Sequence, residues 1–97
     1  MGPMPSDLEK SRGPVTFADL RAHVARGAVI VVAQSLDLLV VGEAVAKDDK
    51  ARVAAWIEAG LLGKPTLETL ARWEKKRGDV GESLVVQPFV LLKELLD

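Results

Sequence analysis

Two valine-rich apolar runs dominate the pattern of hydrophobic and polar positions along the chain. Residues 28–33 are apolar throughout, and Leu38–Ala46 is apolar except for Gly42 and Glu43. The short link between the two runs is polar apart from Leu36. β-Branched residues favour strands, and two such runs joined by a short polar link are typical of a hairpin. We therefore predict an antiparallel β-hairpin at the centre of a small sheet.

The second run also permits a helix that begins near Glu43. That helix would place Asp49 on the apolar stripe between Val45 and Val53, so the strand is the preferred interpretation. Asp48 and Asp49 then become the N-cap and first-turn acids of the next helix, where the helix dipole favours negative charge. They are also a candidate acid pair for general acid–base catalysis, although adjacent residues at a helix start usually diverge.

The signals for the first helix lie immediately before the first apolar run. Thr16 is a good N-cap, and Asp19 stands three residues later as the acidic partner of a capping box. Val15 and Leu20 occupy the positions of a hydrophobic staple. Gly27 then ends the helix, because glycine readily adopts the left-handed conformation that follows a helix. The sequence predicts a helix from Thr16 to Gly27.

Two further helices follow from the spacing of apolar residues and from the turn residues beside them. Residues 49–59 carry an apolar face of Val53, Trp56 and Ile57, and Gly60 ends that helix. Thr66 caps a third helix, which extends from Leu67 to about Lys76.

Two additional strands complete the prediction. Residues 61–64 form a short strand or an extended link, and residues 84–92 form a strand with Pro88 inside it. Proline cannot donate to a ladder, so Pro88 places this strand at a sheet edge or at a bulge. The predicted fold class is α+β, in the order α-β-β-α-β-α-β, with helices packed on one face of a largely antiparallel sheet. It forms one domain over residues 15–97, preceded by a flexible lead-in over residues 1–14.

Composition limits the classes of function. The 97-residue chain has a net charge of −1, which lacks the basic excess of a general nucleic-acid binder. It has no cysteine, so disulfides, thiolate metal sites and cysteine nucleophiles are excluded. The N-terminus has no apolar signal-peptide core, and no apolar run approaches the length of a membrane span. We expect a soluble cytoplasmic protein.

Catalytic motifs are nearly absent. His23, the single histidine, lies off the apolar stripe of its helix, and no serine stands in a nucleophile elbow. The segment from Gly60 to Pro65 has the wrong glycine spacing for a phosphate-binding loop, and Pro65 stands where Ser or Thr should follow the lysine. We predict no enzyme activity, cofactor or metal. An enzyme would need Asp48, Asp49, Glu43 or His23 to meet in one pocket.

Apolar residues in excess of what a thin sheet and three short helices must hide predict an association surface. Tryptophan is enriched at interface hot spots, and the strand that contains Pro88 has apolar residues on both faces. The leading hypothesis is therefore a non-enzymatic protein–protein interaction or regulatory domain, with a homodimer as one form of it. Its candidate interface residues are Trp56, Trp73, Phe89, Val90 and Leu92.

A basic cluster near the end of the third helix supports a second hypothesis, weak nucleic-acid binding. It consists of Arg72, Lys75, Lys76 and Arg77, with Arg21 and Arg26 as additional contacts. Basic residues at a helix C-terminus also offset the helix dipole, which is the simpler explanation of their position. The preceding helix, link and helix resemble a helix-turn-helix only loosely, because the second helix starts with poor base-reading residues.

Several segments resemble, in order, a bacterial family of small proteins known as domain of unknown function 2288. Together they span most of residues 16–93, with minor departures at Gln87 and Phe89. The resemblance implies a stand-alone cytoplasmic bacterial protein and supplies no catalytic residues. The resembling segments are ARGAVIVV (25–32), LDL (36–38), EAVAKDD (43–49), VAAWIEAG (53–60) and VVQPFVLL (85–92).

Overall fold

Five strands and four helices make up the part of the chain that the computed structural model describes, residues 12–95. The predicted α+β class is confirmed. The strands are β1 (Arg12–Thr16), β2 (Val29–Val32), β3 (Leu62–Gly63), β4 (Asp79–Val86) and β5 (Phe89–Glu94). The helices are α1 (Phe17–Ala25), α2 (Leu38–Ala46), α3 (Lys50–Glu58) and α4 (Leu67–Lys75).

The strands form one sheet in the order β1-β4-β5-β2-β3. Three of the four neighbouring pairs are antiparallel, and β2 runs parallel to β5. The prediction of a largely antiparallel sheet is therefore confirmed. Because β2 and β5 are parallel, they cannot be joined by a tight hairpin, and most of the chain lies between them.

Helix α1 has the ends that its sequence predicts. The Asp19 backbone N–H donates to Thr16 Oγ1 at 3.3 Å, and the Thr16 backbone N–H donates to Asp19 Oδ2 at 3.1 Å. This reciprocal pair is a capping box, which satisfies two N–H groups that the helix itself cannot. Gly27 follows the helix with φ of +70°, a conformation that glycine adopts without a steric penalty.

The predicted strand over Leu38–Ala46 is wrong, because these residues form helix α2. Asp37 starts the helix by accepting a hydrogen bond from the Leu39 backbone N–H at 2.8 Å. Leu38, Val41 and Ala44 are buried at the three-residue spacing of one helical face. Packing of that face against the sheet outweighs the strand preference of the valines, which is strongly context-dependent.

The chain turn after α2 removes the objection to a helix in this region. Helix α2 ends at Ala46, and Asp48 has φ of +56°, so the chain changes direction before α3 begins. Asp49 is the N-cap of α3 and accepts a hydrogen bond from the Arg52 backbone N–H at 3.2 Å. The aspartate therefore lies between two helices instead of on the apolar face of one.

Helices cover both faces of the sheet, which corrects the prediction of helices on one face. One buried cluster joins the sheet to α2, with α3 packed at its margin, and includes Leu38, Val41 and Leu84. The other joins the sheet to α1 and α4, and includes Leu20 and Trp73. Residues of internal strands alternate between the two clusters, as expected for side chains that point to opposite faces.

The predictions for residues 12–14 and for Pro88 need correction. Residues 1–11 of the proposed flexible lead-in lie outside the described residues, but Arg12 and Pro14 belong to β1, an edge strand where proline is tolerated. Arg12 forms an ion pair with Glu82 of β4.

Pro88 lies in the turn between β4 and β5, which are both internal strands, so it costs the sheet no ladder hydrogen bond.

The segment between the last two helices is as predicted. Leu62–Gly63 forms the short strand β3, which pairs with the end of β2. Thr66 caps α4 through its side-chain oxygen, which accepts a hydrogen bond from the Thr69 backbone N–H at 3.1 Å. In the sheet of the described residues, β3 lies at one edge and β1 at the other.

Candidate functional site

An open groove of about 560 Å³ lies between α2, α3 and the sheet. We call it the α3 groove. Its walls are mainly apolar side chains from both helices and from three strands: Ile30, Val45, Val53, Ile57, Leu62, Phe89 and Leu91. Its volume falls within the range of about 300–1,000 Å³ that is common for binding sites, and such sites are mostly apolar with a few polar groups.

The groove exists because α3 packs loosely on the domain. None of the residues of α3 is buried, although its apolar face contains Val53, Trp56 and Ile57. Val53 and Trp56 are half-buried at the margin of the first core cluster. Ile57 keeps 56% of its surface exposed, and Phe89 on β5 keeps 38%. The two exposed side chains line the same groove.

Four charged side chains lie at the groove. Asp49 caps α3, and Asp48 forms a weak, highly exposed ion pair with Lys50 at 3.9 Å. Lys64 has neither a hydrogen bond nor an ion pair with any residue in the described part of the chain. Its Nζ lies over Gly27, where a Cβ atom would come within 3.2 Å of it. The two aspartates and two lysines of the α3 groove sum to zero charge, and Lys64 is the lysine among them without an ion-pair partner in the described residues.

Two of the five candidate interface residues are at or near this groove, and three are not available to a partner. Phe89 lines the groove, and Trp56 lies half-buried on α3 with the Arg52 guanidinium 5.0 Å from its ring centroid. Trp73, Val90 and Leu92 are buried in the second core cluster. The structure therefore places these three side chains inside the domain and not on its surface.

Sequence reasoning missed Ile57 as a surface residue. It places Ile57 on the apolar face of its helix, where the expected result is burial. The position alone does not show that α3 leaves part of that face uncovered. A weak signal is present in the sequence, because polar or small residues surround Ile57 on α3 and give the helix only a narrow apolar stripe.

The basic cluster of α4 is partly neutralised. The Arg72 Nη2 donates to both Glu94 carboxylate oxygens, at 2.7 and 2.9 Å, and these hydrogen bonds raise the pKa of the Arg72 guanidinium. Lys76 Nζ donates to the Leu95 carbonyl oxygen at 3.2 Å. Lys75 and Arg77 are exposed. Arg72 is therefore held by a carboxylate, which reduces its value as a phosphate contact.

The residues that an enzyme would require do not meet. His23 lies on α1, where its Nδ1 accepts a hydrogen bond from the Arg26 guanidinium at 2.5 Å. Helix α1 packs on the face of the sheet opposite the α3 groove. Asp48 and Asp49 lie at the groove, and Glu43 is half-buried on α2. The histidine and the aspartate pair are thus on different sides of the domain.

Within residues 12–95, no helix is both long and apolar enough to cross a bilayer. The same residues contain no group of three or more acidic, histidine or cysteine side chains that could hold a metal ion.

Comparison with known proteins gives a family and a structural relative. The model of a family described as "Protein of unknown function (DUF2288)" matches residues 4–94. The NMR solution structure of PA1075 from Pseudomonas aeruginosa is 32% identical, with a TM-score of 0.79, over 93% of this chain and 82% of that one. Comparison with curated proteins finds no match. The chain belongs to the DUF2288 family of proteins of unknown function.

Proposed function

We propose that this protein is a non-enzymatic protein–protein interaction domain that self-associates through the α3 groove. The observation that carries the proposal is the apolar groove of about 560 Å³ with Ile57 and Phe89 exposed in it. Contiguous apolar surface of this kind marks association sites in soluble proteins. Each apolar side chain that a partner covers contributes about 1.5–3 kcal/mol to association if its burial is complete.

A second copy of the chain fits the groove because the same edge of the domain also carries an apolar projection. Leu67, at the start of α4, is 86% exposed. It follows Lys64 of the groove by only three residues, a distance of at most about 11 Å along an extended chain. In a two-fold dimer, each Leu67 can enter the groove of the other copy, since such interfaces pair one surface patch with itself.

The charges at this edge complement each other in the same arrangement. Glu68 follows Leu67 in the first turn of α4, and the unpaired Lys64 belongs to the α3 groove. If Leu67 of one copy enters the groove of the other, Glu68 comes close to the partner's lysine. Charge complementarity mainly sets the orientation and the specificity of an interface. Two copies of this contact also bring the buried area closer to the roughly 800 Å² per partner of a stable interface.

A binding role, and not catalysis, accounts for the chemistry of the groove. Its walls are apolar, and its two aspartates have structural roles or ion-pair partners: Asp49 caps α3 and Asp48 pairs with Lys50. General acid–base catalysis needs carboxyl groups that converge on one substrate in different environments.

The first test changes one groove residue and measures the mass in solution. Ile57→Gln should weaken the dimer by about tenfold or more, because a side chain worth at least 1.5 kcal/mol when buried is lost from each copy. Light scattering after size-exclusion chromatography, over a range of protein concentrations, gives the dissociation constant. Circular dichroism checks that Ile57→Gln and its control variant keep their helices.

The matched control is Val40→Gln. Val40 is also helical and 40% exposed, but it does not line the α3 groove. This variant should dimerise like the unmodified protein. A strictly monomeric unmodified protein at high concentration would rule out self-association. Equal weakening by the two substitutions would show that the α3 groove is not the interface.

A further inference from the structure

We propose that helix α4 of one copy packs antiparallel along helix α3 of the other copy in the dimer. This inference rests on the proposed self-association, and it names the element that covers the α3 groove. Helix α3 presents to the groove three residues at the i, i+4, i+7 spacing of one helical face: Lys50, Ala54 and Ile57. Helix α4 has an exposed face with the same spacing: Leu67, Ala71 and Glu74.

The two faces match when the helices run in opposite directions. In that alignment, the exposed Leu67 lies against the exposed Ile57. At the other end of the contact, Glu74 lies against Lys50, and the alanines in between let the helix axes approach closely. Each face extends about 10.5 Å along its axis, so all three contacts form in a single crossing. A parallel alignment would instead place Glu74 against Ile57, a charge against an apolar side chain.

The charges of the two faces are available to each other. Glu74 has neither a hydrogen bond nor an ion pair with any residue in the described part of the chain. The Lys50 side chain is 86% exposed, and its Nζ lies 3.9 Å from Asp48 Oδ2. So exposed a pair contributes little, and Lys50 can engage a second carboxylate. Complementary charges of this kind set the orientation of an interface.

The positions of the two helices in the fold also determine the symmetry of the dimer. Helix α3 packs at the first core cluster and α4 at the second, on opposite faces of the sheet. A two-fold axis perpendicular to the sheet would keep α3 of one copy and α4 of the other on opposite sides. The axis therefore lies roughly in the plane of the sheet. The dimer then contains the contact between α3 and α4 twice.

Charge reversal tests the contact between Lys50 and Glu74. Lys50→Glu and Glu74→Lys each replace an attraction by a repulsion at both copies of the contact. Each variant should dimerise about tenfold more weakly at low ionic strength, where exposed charges are least screened. The double variant with both substitutions should regain the dissociation constant of the unmodified protein, because both contacts are attractive again. Light scattering after size-exclusion chromatography, over a range of protein concentrations, measures these values.

The matched control replaces a different lysine. Lys47 is exposed at the end of α2, but it does not line the α3 groove. Lys47→Glu should dimerise like the unmodified protein. Combined with Glu74→Lys, it has the same net charge as the first double variant, but it should stay as weak as Glu74→Lys alone. Circular dichroism checks that every variant keeps its helices.

Two results would overturn the contact between the helices. One is a double variant of Lys50 and Glu74 that stays as weak as the single variants. The other is equal recovery in the control double variant, which would show that net charge governs association. If the unmodified protein dimerises and Ile57→Gln weakens the dimer, either result removes only the placement of α4. A strictly monomeric unmodified protein would overturn both this contact and the proposed self-association.

Discussion

Leu84→Ala should lower the free energy of unfolding by about 2–5 kcal/mol, the range observed for truncation of a buried leucine. Leu84 belongs to strand β4, and its fully buried side chain lies between the sheet and helix α2. A Cβ atom built on Gly42 of α2 would lie 2.4 Å from Leu84 Cδ2, so the helix backbone rests directly on this side chain. Truncation therefore leaves a cavity beneath α2. Urea denaturation followed by circular dichroism measures the change.

Leu67→Ala is the matched control for this prediction, because it makes the same chemical change at a residue that is 86% exposed. Its free energy of unfolding should stay within about 0.5 kcal/mol of the unmodified value. Both variants are measured at low protein concentration, where self-association contributes little to stability. A small effect of Leu84→Ala would contradict the packing of α2 on the sheet.

Gly81→Ala should destabilise the fold by about 2–3 kcal/mol through overpacking. A Cβ atom at Gly81 would lie 2.5 Å from the Lys93 backbone oxygen and 3.1 Å from Glu94 Cα. These are backbone atoms of the neighbouring strand β5, and they cannot move without opening the β4–β5 ladder. The substitution therefore strains two internal strands of the sheet. Thermal and urea unfolding monitor the loss.

Gly13→Ala separates this clash from the general effect of replacing a strand glycine. Gly13 also lies in a strand, β1, but a Cβ atom there would meet nothing within 4 Å. Alanine restricts the unfolded chain and should leave stability unchanged or raise it by up to about 1 kcal/mol. If both alanine variants lose the same stability, the close approach at Gly81 is not the cause.

Local signals in the sequence predict the parts of the fold that depend on neighbouring residues. The capping box of Thr16 and Asp19 fixes the start of α1, and Gly27 fixes its end. Thr66 likewise starts α4. In each case, a side chain satisfies backbone groups a few residues away, so the interaction does not depend on the rest of the domain.

The helix over Leu38–Ala46 could not be predicted in this way, because its residues favour either state. Its valines are common in strands, and the run is apolar apart from Gly42 and Glu43. The deciding contacts are distant in sequence: Val41 and Leu38 pack against strand residues such as Leu84. The sheet is built from β1, β4, β5, β2 and β3 instead, so the pairing partner predicted for β2 is replaced by β5 and β3.

The candidate sites show the same division. The apolar character of Trp73 and Leu92 is visible in the sequence, but only the packing of α1 and α4 on the sheet shows that both are buried. The exposure of Ile57 follows from how α3 packs on the domain, which no local pattern indicates. The partnership of Arg72 with Glu94 joins the fourth helix to the last strand, a pairing that no local pattern indicates.

Intermolecular paramagnetic relaxation tests the proposed dimer most directly. The chain has no cysteine, so Ala71→Cys carries a single nitroxide label one turn beyond Leu67 on α4. Labelled protein at natural isotopic abundance is mixed with untagged, ¹⁵N-enriched protein. Insertion of Leu67 into the α3 groove predicts broadening of the amide signals of Ile57, Gly63 and Phe89 in the untagged copy. Absence of broadening there, or broadening centred on another surface, would contradict it.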